Sequence, residues 1–265
     1  MMRFVTWNVN GLRARAAHVD LVIEALQPDV LLLQEIKMDA AIFPVEAFAS
    51  AGLPHTCAHG FKGKHGVALV SRHPLKNIDK TVIGGIDDGR HVSATVATNV
   101  GGLRVSSLYV PSGGDKPDVS LNDKFAHKLA FMEDMKTFFA GDGLHVAGGD
   151  LNIAPQEHDV HNHKKCRRLV GHSDGERQIM AEAIEAGGWI DTGRALQPEG
   201  PLFTWWGYRY PPAFERNMGW RLDHLWLKKA HGSLLRGGSV FRDIRAWEKP
   251  SDHAPVVLDL NVEAA

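Results

Sequence analysis

Six places in the chain set a carboxylate, an amide, a tyrosine or a histidine at the end of a short apolar run. Asn8 and Asn10 follow residues 4–7, Gln34-Glu35 follows 30–33, and Tyr109 closes 103–109. Asp150 and Asn152 follow 144–147, Asp223 lies at the start of 222–227, and Asp252-His253 precedes 256–260. Strand side chains alternate faces, so Asp150 and Asn152 point the same way if extended geometry persists through them. One such site is ordinary loop composition, and a lone Glu35 after a strand is usually a surface residue. Recurrence after several separate runs suits one rim of a layered α/β fold, where catalytic groups collect.

The chemistry these groups suit is metal-assisted attack on a phosphodiester. Oxygen donors such as Glu35 and Asp252 match a hard divalent cation, and the two cysteines, Cys57 and Cys166, are too few for a soft one. The attack needs a water, a base, and donors for the phosphoryl oxygens. Asp150 is the candidate base; Asn8, Asn152, Tyr109 and His253 are candidate donors. Asp223 is a candidate partner for His253, orienting its ring and favouring its protonated form. His158, His161, His163 and His172 complete no ligand set with carboxylates or thiolates, so zinc is not expected.

The elements that must carry these residues are legible as hydrophobic periodicity. Strands are expected at residues 4–7, 30–33, 67–70, 91–97, 103–109, 144–147, 222–227 and 256–260. The spacing of Val19, Val22, Ile23 and Leu26 predicts a helix that stops before Pro28. Phe125, Leu129, Met132, Met135 and Phe139 make a second apolar stripe, and Ile179, Met180, Ala183 and Ile184 a third. Hairpin-like spacings mixed with helical crossovers predict a mixed-sheet α/β fold. With 265 residues, and no repeat or Pro/Gly-rich linker, one domain is expected.

Composition bounds the setting. Apolar residues are 44% and charged residues 23%, ordinary for a soluble globular protein. Neither cysteine sits in a metal-cage pattern, which suits a reducing compartment. The first residues carry no signal-like apolar stretch, and no run of about eighteen apolar residues occurs, so a cytoplasmic, non-membrane protein is expected. The net charge of −1 gives no broad positive field, so any nucleic acid must be held by a local patch.

In order along the chain, several segments resemble the exonuclease III and abasic-site endonuclease family of the endonuclease–exonuclease–phosphatase superfamily. They are Thr6-Trp7-Asn8-Val9-Asn10-Gly11, Leu33-Gln34-Glu35-Ile36-Lys37, Tyr109-Val110-Pro111, Gly149-Asp150-Leu151-Asn152, Arg221-Leu222-Asp223 and Ser251-Asp252-His253-Ala254-Pro255. Together they are a strong signal, although each alone is weak. The resemblance implies a four-layer α/β sandwich, with two mixed sheets face to face and helices outside. It implies Mg²⁺-dependent hydrolysis of DNA phosphodiesters, with Mn²⁺ as a substitute. Carried over by position, Glu35 is the principal metal ligand with Asn8, Asn10 and Asp252 around it. Asp150 orients or deprotonates the water, Asn152 and Tyr109 contact the phosphate, and His253 with Asp223 binds a phosphate oxygen. The implied substrate is double-stranded DNA with abasic sites or 3′ ends, acted on by a monomer.

Substrate contacts follow from the same resemblance. Trp205, Trp220 and Leu222 match residues lining a pocket for an abasic sugar, and Arg209 a position that reaches into the duplex. By composition alone, half of the cluster Phe203-Thr204-Trp205-Trp206-Gly207-Tyr208-Arg209-Tyr210 belongs to the core. Lys37, Arg90, Lys164, Lys165, Arg167 and Arg168 are candidate phosphate contacts, the last four equally well a solvated helix face. Two positions depart from the family pattern: Ser112 stands where a larger amide is usual, and His172 where small residues are common. If His172 overhangs the pocket, it hinders an abasic nucleotide and spares 3′ ends. Two rivals remain: a phosphoesterase of the superfamily acting on phospholipids or inositol phosphates, and a DNA-binding protein without catalysis. The aromatic segment speaks against the first and the complete acidic set against the second.

Overall fold

The computed structural model describes residues 1–139 and 141–265. Its strands are β1 (Met2–Asn8), β2 (Val30–Gln34), β3 (His55–His59), β4 (Val67–Ser71), β5 (Lys76–Asp79) and β6 (His91–Thr98). They continue with β7 (Gly101–Tyr109), β8 (His145–Asp150), β9 (Trp189–Asp191), β10 (Asp223–Lys228), β11 (Leu235–Val240) and β12 (Val256–Leu260). The α-helices are α1 (Ala16–Leu26), α2 (Val45–Ser50), α3 (Asp123–Phe138), α4 (His163–Cys166), α5 (Asp174–Ala186) and α6 (Thr192–Leu196).

Two six-stranded sheets form, ordered β11-β12-β1-β2-β4-β3 and β5-β6-β7-β8-β10-β9. In each, one central pair is parallel, β1 with β2 and β7 with β8, and the other neighbours are antiparallel. Phe4, Leu32, Leu69 and Leu258 of the first sheet meet Val96, Val105, Val146 and Leu227 of the second in one dry core. The alternate residues face outward: Val5, Trp7, Leu31 and Leu33 pack under α1 and α2. Leu108, Ala147 and Trp226 pack under Met132 and Met135 of α3 and Met180 of α5. This period of two, buried on both faces, makes the middle strands read as continuous apolar runs. The expected four-layer α/β sandwich is the architecture found.

Strand register delivers the polar ends to one rim. Asn8 pairs with Gln34 across the parallel pair of the first sheet, and Tyr109 with Asp150 across that of the second. Asp223 lies opposite Asp150 in the antiparallel pair β8–β10. Gly149 permits the close approach of β7 to β8, because a Cβ there would run into the Leu108 carbonyl.

Eight strands fall where periodicity puts them, within a few residues; β3, β5, β9 and β11 are additional. The α3 stripe is shifted: Leu129 is half-buried, while Lys128 and Phe131 are fully buried. Among the described residues, no helix is long and apolar enough to cross a membrane.

Candidate active site

Three polar residues at the rim have left-handed backbones: Asn10 (φ 48°), Glu35 (φ 49°) and Asn152 (φ 52°). The chain reverses sharply at each strand end, so side chains from different strands turn toward one point. Extended geometry therefore does not persist from Asp150 to Asn152. The Asn152 amide folds back to donate to Asp150 Oδ1 at 3.0 Å, and its side-chain Nδ2 donates to the Val110 carbonyl at 2.9 Å. Both residues still line one cleft of about 660 Å³.

Hydrogen bonds fix the acidic groups relative to one another. Asn8, fully buried, donates from Nδ2 to Glu35 Oε1 at 3.0 Å and to Asp150 Oδ2 at 2.9 Å. Tyr109 donates to Glu35 Oε1 at 2.8 Å, and the Lys37 ammonium lies 2.9 Å from Glu35 Oε2. Asn10 donates to Asp252 Oδ1 at 2.9 Å, and Trp205 Nε1 to Asp252 Oδ2 at 2.9 Å. The His253 ring gives Nδ1 to Asp223 Oδ2 at 2.8 Å and turns Nε2 toward Asp150 Oδ2, 3.6 Å away.

Charge follows from this packing. Burial alone would raise the Glu35 carboxyl, but the hydrogen bonds from Asn8 and Lys37 and the Lys37 charge hold it at about 2, ionised. Burial would discharge His253, but the Asp223 and Asp150 carboxylates push it up to about 10, so it is an imidazolium at neutral pH. Asp150 goes the other way: burial outweighs the His253 charge, Asp223 adds to the rise, and its carboxyl is pushed up to about 7. Tyr109 is raised by burial and by Glu35 and Asp150, so its hydroxyl stays a donor.

The donor set fits a hard divalent cation. Glu35 and Asp252 line the cleft with Asp150, Asn152 and Tyr109, all offering oxygen. A carboxylate accepts about four hydrogen bonds, and Glu35 uses three and Asp252 two, leaving lone pairs open. Both protons of the Asn8 amide are committed, so only its carbonyl oxygen, which accepts from the Asn10 amide, has room for a metal. Asp150, Asp223 and His253 also bring ligand atoms within 4.8 Å of one another. In that group the His253 ring already gives Nδ1 to Asp223, and an imidazolium, which donates from both nitrogens, has no lone pair for a metal.

Around the cleft, Trp205 and Trp220 meet edge-to-face at 6.3 Å, with Leu222 beside them. Tyr208 and Arg209 are exposed at the mouth, whereas Phe203 and Trp206 belong to the core. Lys37 is exposed at the rim, with its ammonium on Glu35 and Asn10. Arg90 is tied to Asp88 at 2.7 Å and lies over the Tyr109 ring at 5.0 Å, bracing Tyr109. Lys164, Lys165, Arg167 and Arg168 are exposed, Arg167 paired with Asp174 at 3.3 Å. Ser112 lines the cleft.

His172 does not overhang the pocket. It is fully buried behind Trp220, its Nδ1 2.6 Å from the Ala154 carbonyl and its Nε2 2.9 Å from His163 Nδ1. Gly171, with φ 92° and a Cβ position 3.2 Å from the Trp220 ring, takes the rim position instead. Two positioning residues lie inside the segments 203–210 and 251–255 but gain no role from the sequence alone. Thr204 Oγ1 accepts from the Leu222 and Asp223 amides, and Ser251 donates to the Asn8 carbonyl at 2.7 Å while accepting from the His253 amide. Ser251, two residues before His253, is a turn-forming position that spacing can flag; Thr204 is recognisable only in space.

Two face-to-face mixed sheets with carboxylates and a charged imidazole around one cleft at the strand ends define a phosphoester hydrolase. The Endonuclease/Exonuclease/phosphatase family matches residues 5–253. Exodeoxyribonuclease III of Haemophilus influenzae is 33% identical, covering 96% of this chain and 98% of that protein. A 3′ phosphatase from Neisseria, solved with a product DNA hairpin, superposes with TM-score 0.89 at 32% identity, over 98% of this chain and 100% of that one. An AP endonuclease from Archaeoglobus fulgidus gives TM-score 0.91 at 29% identity, over 98% and 100%. The chain belongs to the endonuclease/exonuclease/phosphatase family and is a hydrolytic nuclease.

Proposed function

We propose that this nuclease repairs DNA, removing nucleotides and blocking groups from 3′ ends of duplexes and incising at abasic sites, as a cytoplasmic monomer. The observation that carries the chemistry is the shared cleft of Asp150, Asn152, Tyr109 and His253 facing Glu35 and Asp252. Asp150 takes the proton from water as the oxygen attacks phosphorus, and the bond from phosphorus to the 3′ oxygen breaks. That oxygen leaves as a hydroxyl after taking a proton from solvent. A pKa near 7 suits Asp150 as a base working at neutral pH. The imidazolium of His253 and the second N–H of Asn152 meet the charge that builds on the non-bridging oxygens, joined by the Tyr109 hydroxyl once it turns from Glu35 to the phosphate. Glu35, with Asp252, Asn10 and the Asn8 carbonyl about it, would hold Mg²⁺, for which Mn²⁺ substitutes; the bound ion supplies Lewis-acid charge at the phosphate. Trp205, Trp220 and Leu222 offer an apolar recess for a sugar without its base, with Arg209 at its mouth.

One gel tests this reading. A duplex with an internal abasic analogue and one with a recessed 3′ phosphate are incubated with Mg²⁺ or EDTA. Wild-type protein should process at least one in Mg²⁺ and neither in EDTA. Asp150→Asn should slow the reaction by ~10³-fold, the scale of a lost base in this class of chemistry. Undiminished cleavage in EDTA, or by Asp150→Asn, would overturn the reading.

A further inference from the structure

Lys128 of α3 and Glu176 of α5 form an ion pair, Nζ to Oε1 at 2.5 Å, with both side chains fully buried. The ammonium also donates to the Asn152 carbonyl at 2.7 Å and the Ser112 carbonyl at 3.3 Å, which uses all three of its protons. Glu176 accepts from the Gly171 amide at 2.8 and 2.9 Å, and from the Ser173 amide and hydroxyl at 3.1 and 2.5 Å. Ser112, Asn152 and Gly171 all line the active-site cleft, on three separate segments. One buried pair therefore ties three walls of the cleft together from behind. A buried ion pair generally adds little stability over an apolar pair of the same volume. What this one adds is geometry: the left-handed turn at Asn152 sends its carbonyl back to Lys128 while its side chain stays at the cleft.

We propose that Lys128 and Glu176 are positioning residues for catalysis, holding the Asn152 backbone and the Gly171 rim in register with Asp150. The proposal rests on Asn152 acting at the scissile phosphate. The test is a double-mutant cycle between the pair and Asn152. Lys128→Met/Glu176→Gln removes the charges, keeps the volume and leaves an amide oxygen for the Gly171 N–H. Melting should stay within about 5 °C of wild type, the equivalent of a small stability change. On the recessed 3′-phosphate duplex in Mg²⁺, kcat should fall ~10-fold or more with KM within about 2-fold, the signature of misplaced transition-state contacts. In an Asn152→Ala background the same double substitution should cost less than about 2-fold, because the group it positions is gone.

Lys128→Gln/Glu176→Gln, which strands no charge and keeps an amide donor where the ammonium stood, is the milder variant and should show the same kcat-selective loss. Independent, multiplicative effects would overturn the proposal, as would unchanged kcat in either folded variant. Failure of both variants to fold would assign the pair to stability and also overturn it. Unimpaired cleavage by Asn152→Ala would instead overturn the reading of Asn152, and the proposal with it.

Discussion

Asp223 gives one carboxylate oxygen to His253 Nδ1 at 2.8 Å, and its other oxygen is buried without a hydrogen-bond partner. A carboxylate so placed is costly unless its charge is needed, and here that charge keeps the neighbouring imidazole cationic. Asp223→Asn should therefore retain the fold, since Thr204 still fixes the residue's backbone, but lose the charge on which His253 depends. Steady-state cleavage should show kcat reduced ~10²–10³-fold with little change in KM, the usual cost of removing one charge stabiliser. Wild-type kcat in this variant would refute that role for Asp223. The residue types of this site were readable because carboxylate, amide and imidazole stood beside apolar runs. Their conformations were not: Asn152 leaves the strand through a left-handed turn, and His172, bulky in sequence, lies behind the pocket wall. Lys128 and Glu176 were invisible because a charged pair on two helices reads as solvent-facing until both helices are seen to bury the same face.

At the scale of elements, the strands that periodicity found and those it missed divide by position. All four missed strands, β3, β5, β9 and β11, are the outer strands of the two sheets. An outer strand pairs on one side only and is incompletely covered, so no apolar run marks it: β5 reads Lys-Asn-Ile-Asp and β11 Leu-Arg-Gly-Gly-Ser-Val. The inner strands, buried on both faces, declare themselves. The connection between β8 and β10 is held by a different device. Arg221 is fully buried and bonds Asp159 through Nε and Nη2 at 2.7 and 3.0 Å and Asp191 through Nη1 and Nη2 at 3.0 and 2.8 Å, while Arg194 also bonds Asp159. Arg221→Met leaves Asp191 without its guanidinium in the interior and Asp159 with Arg194 alone, and should destabilise by about 3–5 kcal/mol. Urea unfolding measures this directly, and a loss under about 1 kcal/mol would mean that solvent reaches Asp159 and Asp191. Leu222 follows Arg221 in sequence, so the same variant should also loosen the apolar recess.

For the molecule as a whole, the near-zero net charge hides a set of buried neutral histidines that must make its stability pH-dependent. His91 lies against Phe138 and Phe139, its Nδ1 on the Thr81 carbonyl, with Asp79, Arg104 and His59 as the charged or titratable groups around it. Burial lowers it to about 4; His224 is lowered to about 4 by burial and by Arg221, and His145 well below its ordinary value. The unfolded chain takes up these protons near pH 6.5, before the native state does, so stability must fall as pH drops from about 6.5 toward 4. Asp150, raised to about 7, works in the opposite sense across that window, one group against these three histidines. Glu35 and Asp159, both held at about 2, weaken the fold only at lower pH, below the ordinary carboxylate range. Each depressed histidine contributes up to about 1.4 kcal/mol per pH unit to the slope. His91→Phe should make the plot of unfolding free energy against pH between 6.5 and 4 shallower by up to about that amount. The slope is the informative quantity, because it counts protons and is insensitive to whatever stability the lost Thr81 contact costs. Urea titrations at half-unit pH intervals would measure it, and a slope equal to wild type would show that His91 is already charged in the native state.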